Sequence, residues 1–173
     1  VNIDGDEARS NSVRVTVRPQ SCFNHVRDGD EVAVDCGGSC GACTGGACSD
    51  NSQCSSGTCQ NGQCVESPRI VDLQLRDGRP GNLVTITGER FGTTAGTVTF
   101  LGTAAPEDDR VATVAQCAGA WSDARIVVLV PQGAVTGPVR VTVSGGRQDA
   151  TNDAYGPIIP DFQVNDTARP VIC

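Results

Sequence analysis

PRIVDLQLRDGRPGNLVTITGERFG, residues 68–92, holds the pattern that decides the fold. Within it Val84 and Ile86 alternate with Thr85 and Thr87, the two-residue period of a strand with one buried face. Gly78, Pro80 and Gly81 before the run, and Gly88 after it, are turn residues. The same signature returns downstream in GTVTFLG (Val98, Phe100), RIVVLVP (Ile126, Val128, Val130) and VRVTVSGG (Val139, Val141, Val143). Gly, Pro and Asp separate the runs, and no stretch has a convincing helical period. Roughly seven short strands over residues 68–164 predict an immunoglobulin-like β-sandwich. Phe91, Phe100 and Phe162 are assigned to its core. Trp121, just ahead of a strand, is read as a core anchor, with stacking on a ligand as the other role open to it.

Upstream the chemistry changes. Cys22, Cys36, Cys40, Cys43, Cys48, Cys54, Cys59 and Cys64 sit among Gly, Ser, Asp, Asn and Thr. Residues 20–67 therefore have too little apolar surface to fold by collapse, and something covalent must hold them. Cys36, Cys40 and Cys43 have the C-x3-C-x2-C spacing of one iron–sulfur triad, but such triads sit on a large α/β barrel that this chain could not supply. Zinc is disfavoured because only Cys40 and Cys43 form a C-x2-C pair and His25, the one histidine, is badly placed to help. Four disulfides remain, with 105 pairings open to eight cysteines. The expected class is thus all-β: a sandwich plus a small disulfide-rich module with little regular structure. Asp28, Asp30, Glu31 and Asp35 crowd one turn of the module and could hold calcium, though the spacing is not an EF-hand; a solvated acidic turn is the plainer reading. No other cofactor is expected.

Composition narrows function. The net charge is −7, all thirteen cations are Arg, and there is no Met or Lys. Nucleic acid is not an expected partner, since binding it needs clustered cations. No apolar run is long enough for a membrane span. Without Lys there is no phosphate loop of the G-x-x-x-x-G-K-[ST] type and no lysine Schiff base. One histidine and no G-x-S-x-G motif leave no triad, so an enzyme is not expected.

The ends carry strand patterns without room for a sandwich. Val13, Val15 and Val17 alternate in residues 1–19, which read as a hairpin; residues 165–173 read as a linker and another first strand, with Val171 and Ile172 on it. A lone hairpin is marginal in water, so it must pack on something. Asn165-Asp166-Thr167 is a glycosylation sequon, usable only in a host with that machinery.

Residues 68–164 resemble an IPT/TIG domain, an immunoglobulin-like family. Pro68, Gly78 with Gly81, Val84 to Gly88, and Phe91-Gly92 carry the resemblance, followed by Trp121-Ser122, Pro131 and Gly137. Residues 104–120, with Cys117, form an insertion longer than the family pattern. DGDEVAVDCGGSCGAC (28–43) is similar to DCGG-type modules of bacterial surface and secreted proteins. The two ends resemble pieces of further TIG units, which implies a tandem array. A Cys117–Cys173 bridge, within or between chains, is a further expectation.

The expected function is structural: a repeating unit of an extracellular stalk, adhesin or head-to-tail filament. Its expected partners are neighbouring copies or tandem domains, joined by strand contacts through Val13, Val15, Val17, Val171 and Ile172. The alternative is a ligand- or carbohydrate-binding module using Trp121 or Tyr155.

Overall fold

The computed structural model describes residues 19–104, 106–152 and 159–169. The expectations for Val13, Val15, Val17, Tyr155, Val171, Ile172 and Cys173 lie outside these residues. Among the described residues there is no α-helix, and no helix is long and apolar enough to cross a membrane.

The N-terminal part is a stapled module. It has three short 3-10 turns, Gln20–Phe23, Gly38–Cys40 and Asn51–Gln53. A small hairpin of β1 (Cys59–Gln60) and β2 (Gln63–Cys64) follows. Asn61 and Gly62 turn it with φ of 52° and 79°, the left-handed pair that a two-residue hairpin needs. Four disulfides join Cys22–Cys40, Cys36–Cys43, Cys48–Cys59 and Cys54–Cys64. In each half of the module the first cysteine pairs with the third and the second with the fourth, so the two loops interlock. Each half has one buried bridge, Cys22–Cys40 and Cys54–Cys64, and one half-buried bridge. Backbone bonds join the halves: Ala42 N–H donates to the Gln53 carbonyl (2.7 Å) and Ser55 N–H to that of Ala42 (2.9 Å).

The rest is an immunoglobulin-like sandwich. One sheet is built from β3 (Arg69–Gln74), β5 (Leu83–Glu89), β8 (Thr113–Val114) and β9 (Arg125–Leu129), in the order β3-β5-β9-β8. The other holds β6 (Thr97–Phe100), β7 (Arg110–Val111), β10 (Val139–Thr142) and β11 (Gln148–Ala150), in the order β11-β10-β6-β7. All these pairs are antiparallel. β4 (Asp77–Gly78) leaves the first sheet after β3 and pairs in parallel with β12 (Gln163–Val164). The core lies between the sheets and contains Val84, Ile86, Val98, Phe100, Ile126, Val128, Val139 and Val141, the residues picked out by alternation. Phe100 and Phe162 meet edge to face at 5.2 Å. Gly88 has no room for a side chain: a Cβ there would run into the Arg69 carbonyl and the Phe91 ring.

Residues 104–120 differ from the insertion expected. Arg110 to Val114 supply an edge strand to each sheet in turn, β7 then β8, with Ala112 buried at the crossing. Ala115 and Ala120 then cover the outer face of the first sheet against Leu83 and Val127. This explains why residues 126–129 are apolar throughout and not merely alternate: the middle of β9 is buried on both faces.

Candidate functional site

The functional candidates lie where the chain passes into and out of the sandwich. The incoming linker is Val65–Pro68. From the module side, Val65 N–H donates to the Thr58 carbonyl (3.0 Å), and the Thr58 and Ser67 hydroxyls bond to each other. From the sandwich side, Arg90 Nε donates to the Ser67 carbonyl at 2.8 Å, and Arg147 donates to the carbonyl of Glu66. Ser67 and Pro68 are buried. At the first strand residues, Ile70 N–H donates to the buried Asp149 carboxylate (2.5 Å), which ties β3 to β11 across the sandwich. Arg90 sits just past β5 with φ of 57°, a backbone position that favours glycine; its guanidinium does what glycine could not.

The outgoing linker, residues 165–169, is held in the same manner. Asn165 N–H donates to the Gly78 carbonyl at 3.1 Å, and its Nδ2 to Asp77 Oδ2 at 2.9 Å. The Arg169 guanidinium pairs with the other oxygen of Asp77. Asn82 is buried and takes N–H groups from both Arg79 (3.0 Å) and Arg169 (3.3 Å) on Oδ1, while its Nδ2 donates to the Arg169 carbonyl (3.2 Å). The bonds from Arg169, and then from Asn165, hold the Asp77 carboxyl below its ordinary value. β3 separates the two linkers. Its six residues run from Arg69, beside the incoming clamp, to within three residues of Asp77, a span of about 20 Å. The clamps are therefore at opposite poles.

The acidic turn uses its carboxylates internally. Asp30 accepts from Ser39 N–H and Oγ, both at 2.9 Å, and these bonds lower its pKa. Asp35 accepts from the N–H groups of Asn24 and His25, and Asp28 from Asn24 Nδ2. Glu31, buried, accepts from Asp28 and Asp35 N–H on Oε2. Its Oε1 lies 3.2 Å from Cys40 Sγ, a disulfide sulfur with no proton to donate. The four carboxylates do not gather three ligand atoms together. The groupings that do occur, Cys22-Glu31-Cys40 and Cys48-Cys54-Cys64, depend on sulfurs already spent in disulfides.

His25 is exposed, 3.7 Å from Asp35. Trp121 is half-buried against the core and its indole N–H donates to the Phe91 carbonyl (3.2 Å). Phe91, Phe100 and Phe162 are core residues. Cys117 is disulfide-bonded, and Cys173 falls outside the described residues. The Asn165 side chain is engaged at both ends, its Oδ1 accepting from Thr167 N–H at 2.8 Å. A cleft of about 290 Å³ separates module and sandwich, bordered by His25, Val34, Asp35, Glu66, Arg90 and Asp149 and, among the described residues, by no Phe, Trp or Tyr side chain. Arg90, Arg147, Asn82 and Asp149 were not legible as site residues, because each acts on backbone groups far away in sequence.

Among curated proteins none matches this chain. Solved structures resemble it over part of its length. One is the gamma-CGTase of alkalophilic Bacillus clarkii, with 28% identity and a TM-score of 0.41 over 59% of this chain and 13% of that one. Another is a structural genomics protein of unknown function from Bacteroides thetaiotaomicron, with 19% identity and a TM-score of 0.45 over 58% of this chain and 22% of that one. The chain thus spans less than a quarter of either, and similarity at this level carries no argument about function. The family model for the IPT/TIG domain matches residues 68–157, more than half of the sequence, and the strands and core described above are those of an immunoglobulin-like sandwich: the chain belongs to the IPT/TIG domain family.

Proposed function

We propose that this chain is a rigid, non-catalytic spacer of an extracellular structural or adhesive protein, a repeating unit of a stalk or filament. The observation that carries the reading is the clamping of both linkers at opposite poles of one sandwich. A domain that only had to be present could hang on free linkers. A unit that sets distance and angle needs its incoming and outgoing segments fixed. The interlocked disulfides extend the same property into the module, which has no core of its own to resist deformation. They also suit an oxidising, extracellular compartment, where such bridges persist.

Small-angle scattering on the oxidised chain tests the reading. The wild type should fit a single extended particle. Arg90→Ala with Arg147→Ala should leave both parts folded and broaden the distribution of sizes. A wild-type profile that requires a wide ensemble of module positions would contradict it.

A further inference from the structure

Cys117 is half-buried on the outer face of the first sheet, where it packs on the cluster of Leu83, Ala115, Ala120 and Val127. It is disulfide-bonded, and among the described residues no cysteine is free. The eight module cysteines bond to one another. The sequence has ten cysteines, so Cys173 is the one left to be its partner.

The sandwich brings the chain to the right place for that partner. Arg169 is the last residue described, and Asn82 holds both its N–H (3.3 Å) and its carbonyl (3.2 Å). Asn82 immediately precedes Leu83, a member of the cluster on which Cys117 packs. Arg169 is thus anchored beside the ground that Cys117 occupies. From Arg169 to Cys173 the backbone can span up to about 14 Å. The Cα atoms of a disulfide stand roughly 4.4–6.8 Å apart, well within that reach.

We propose that a Cys117–Cys173 bridge within the chain staples the outgoing segment to the outer face of the first sheet and carries tension past the second half of the sandwich. The bond forms as two thiols pass two electrons and two protons to a small disulfide oxidant, the same exchange that the module bridges require. A pull between the module and Cys173 then follows the shorter covalent path. It runs through the incoming linker and β3 to β8, into Cys117 and across the sulfurs. Residues 118–172, which include β9 to β12, form a loop off that path. Asn165 and Arg169 lie in the same loop, so their bonds to Asp77 and Asn82 need not bear the load. Residues 104–120 thereby gain a second use: after supplying β7 and β8 they bring a cysteine to the pole where the chain leaves. The mechanical role rests on the spacer reading and deepens it; the bridge itself does not depend on that reading.

Two measurements on the oxidised full chain test this. Denatured without reductant and cut with trypsin, the monomer should yield residues 111–125 joined to residues 148–173, since Arg169 is followed by Pro170 and is not cut. Cys117 recovered as a free thiol, joined to a module cysteine or joined to a second chain would overturn the bridge. Stretching single molecules by their two ends reads the load path. Unfolding the wild-type sandwich should free residues 65–117 only. Cys117→Ser with Cys173→Ser should lengthen that step by the extended length of residues 118–173, about 190 Å. A wild-type step that already frees residues 65–173 would overturn the load path, whether or not the double variant folds. If Cys117 is not linked to Cys173 while module and sandwich tumble as one body, the staple fails and the spacer reading stands. If the two are linked and the parts tumble independently, the staple stands and the spacer reading fails.

Discussion

At the scale of residues, this chain spends polar side chains on backbone. Asn82 alone engages the N–H groups of Arg79 and Arg169 and the carbonyl of Arg169. Replacing a buried group of this kind leaves its partners unpaired, which costs about 1–3 kcal/mol. Asn82→Ala should lower the urea midpoint accordingly without changing the strand content seen by circular dichroism. Three aspartates make a pH statement. Ser39 holds Asp30, Ser52 holds Asp50, and Arg169 followed by Asn165 holds Asp77, each below the ordinary value of 3.8. Their folded values lie under the unfolded one, so the stability they add is complete above about pH 4. It is lost as pH falls through the lower folded values. The urea midpoint should therefore be flat from neutral pH down to mildly acidic conditions and drop below pH 4. Asp77→Asn should reduce that drop. The roles of Asn82 and Arg90 were invisible in the sequence, because nothing in a spacing shows that Asn82 meets Arg169 or that Arg90 meets Ser67.

At the scale of elements, legibility followed periodicity. β5, β6, β9 and β10 were plain, since alternation over four or more residues is the strand signal itself. β7 and β8 were not, being two residues each beside the acidic run Glu107–Asp109, and residues 104–120 read as an insertion. The kink between β3 and β4 was hidden for a different reason: it is made at Leu75, where no turn residue marks it. The module was legible as disulfide-bonded but not as two interlocked halves, because cysteine spacing fixes loop lengths and not which loops cross. Its bridges should open in order. Under a thiol reductant without denaturant, Cys36–Cys43 and Cys48–Cys59, half-buried, should be alkylated before Cys22–Cys40 and Cys54–Cys64, which are buried. Mass spectrometry of partly alkylated chains reads this directly, and prior loss of a buried pair would contradict it. Within the sandwich, Gly88→Val should be among the most disruptive surface-to-core changes, since its Cβ would meet the Arg69 carbonyl as well as the Phe91 ring, and backbone cannot move aside cheaply.

At the scale of the whole molecule, the two parts are stabilised by different means. The sandwich has a core of interdigitated valines, isoleucines and phenylalanines; the module has four disulfides and almost no core. What makes them one object is the linker between them, gripped by Thr58 from one side and by Arg90 and Arg147 from the other. The most direct measurement of that claim is a set of amide residual dipolar couplings for the oxidised chain in a weakly aligning medium. A single alignment tensor should fit the module and the sandwich together, and Arg90→Ala with Arg147→Ala should split it into two of unequal magnitude. Two different tensors in the wild type would show that the module swings freely, and the account of a rigid spacer would be wrong.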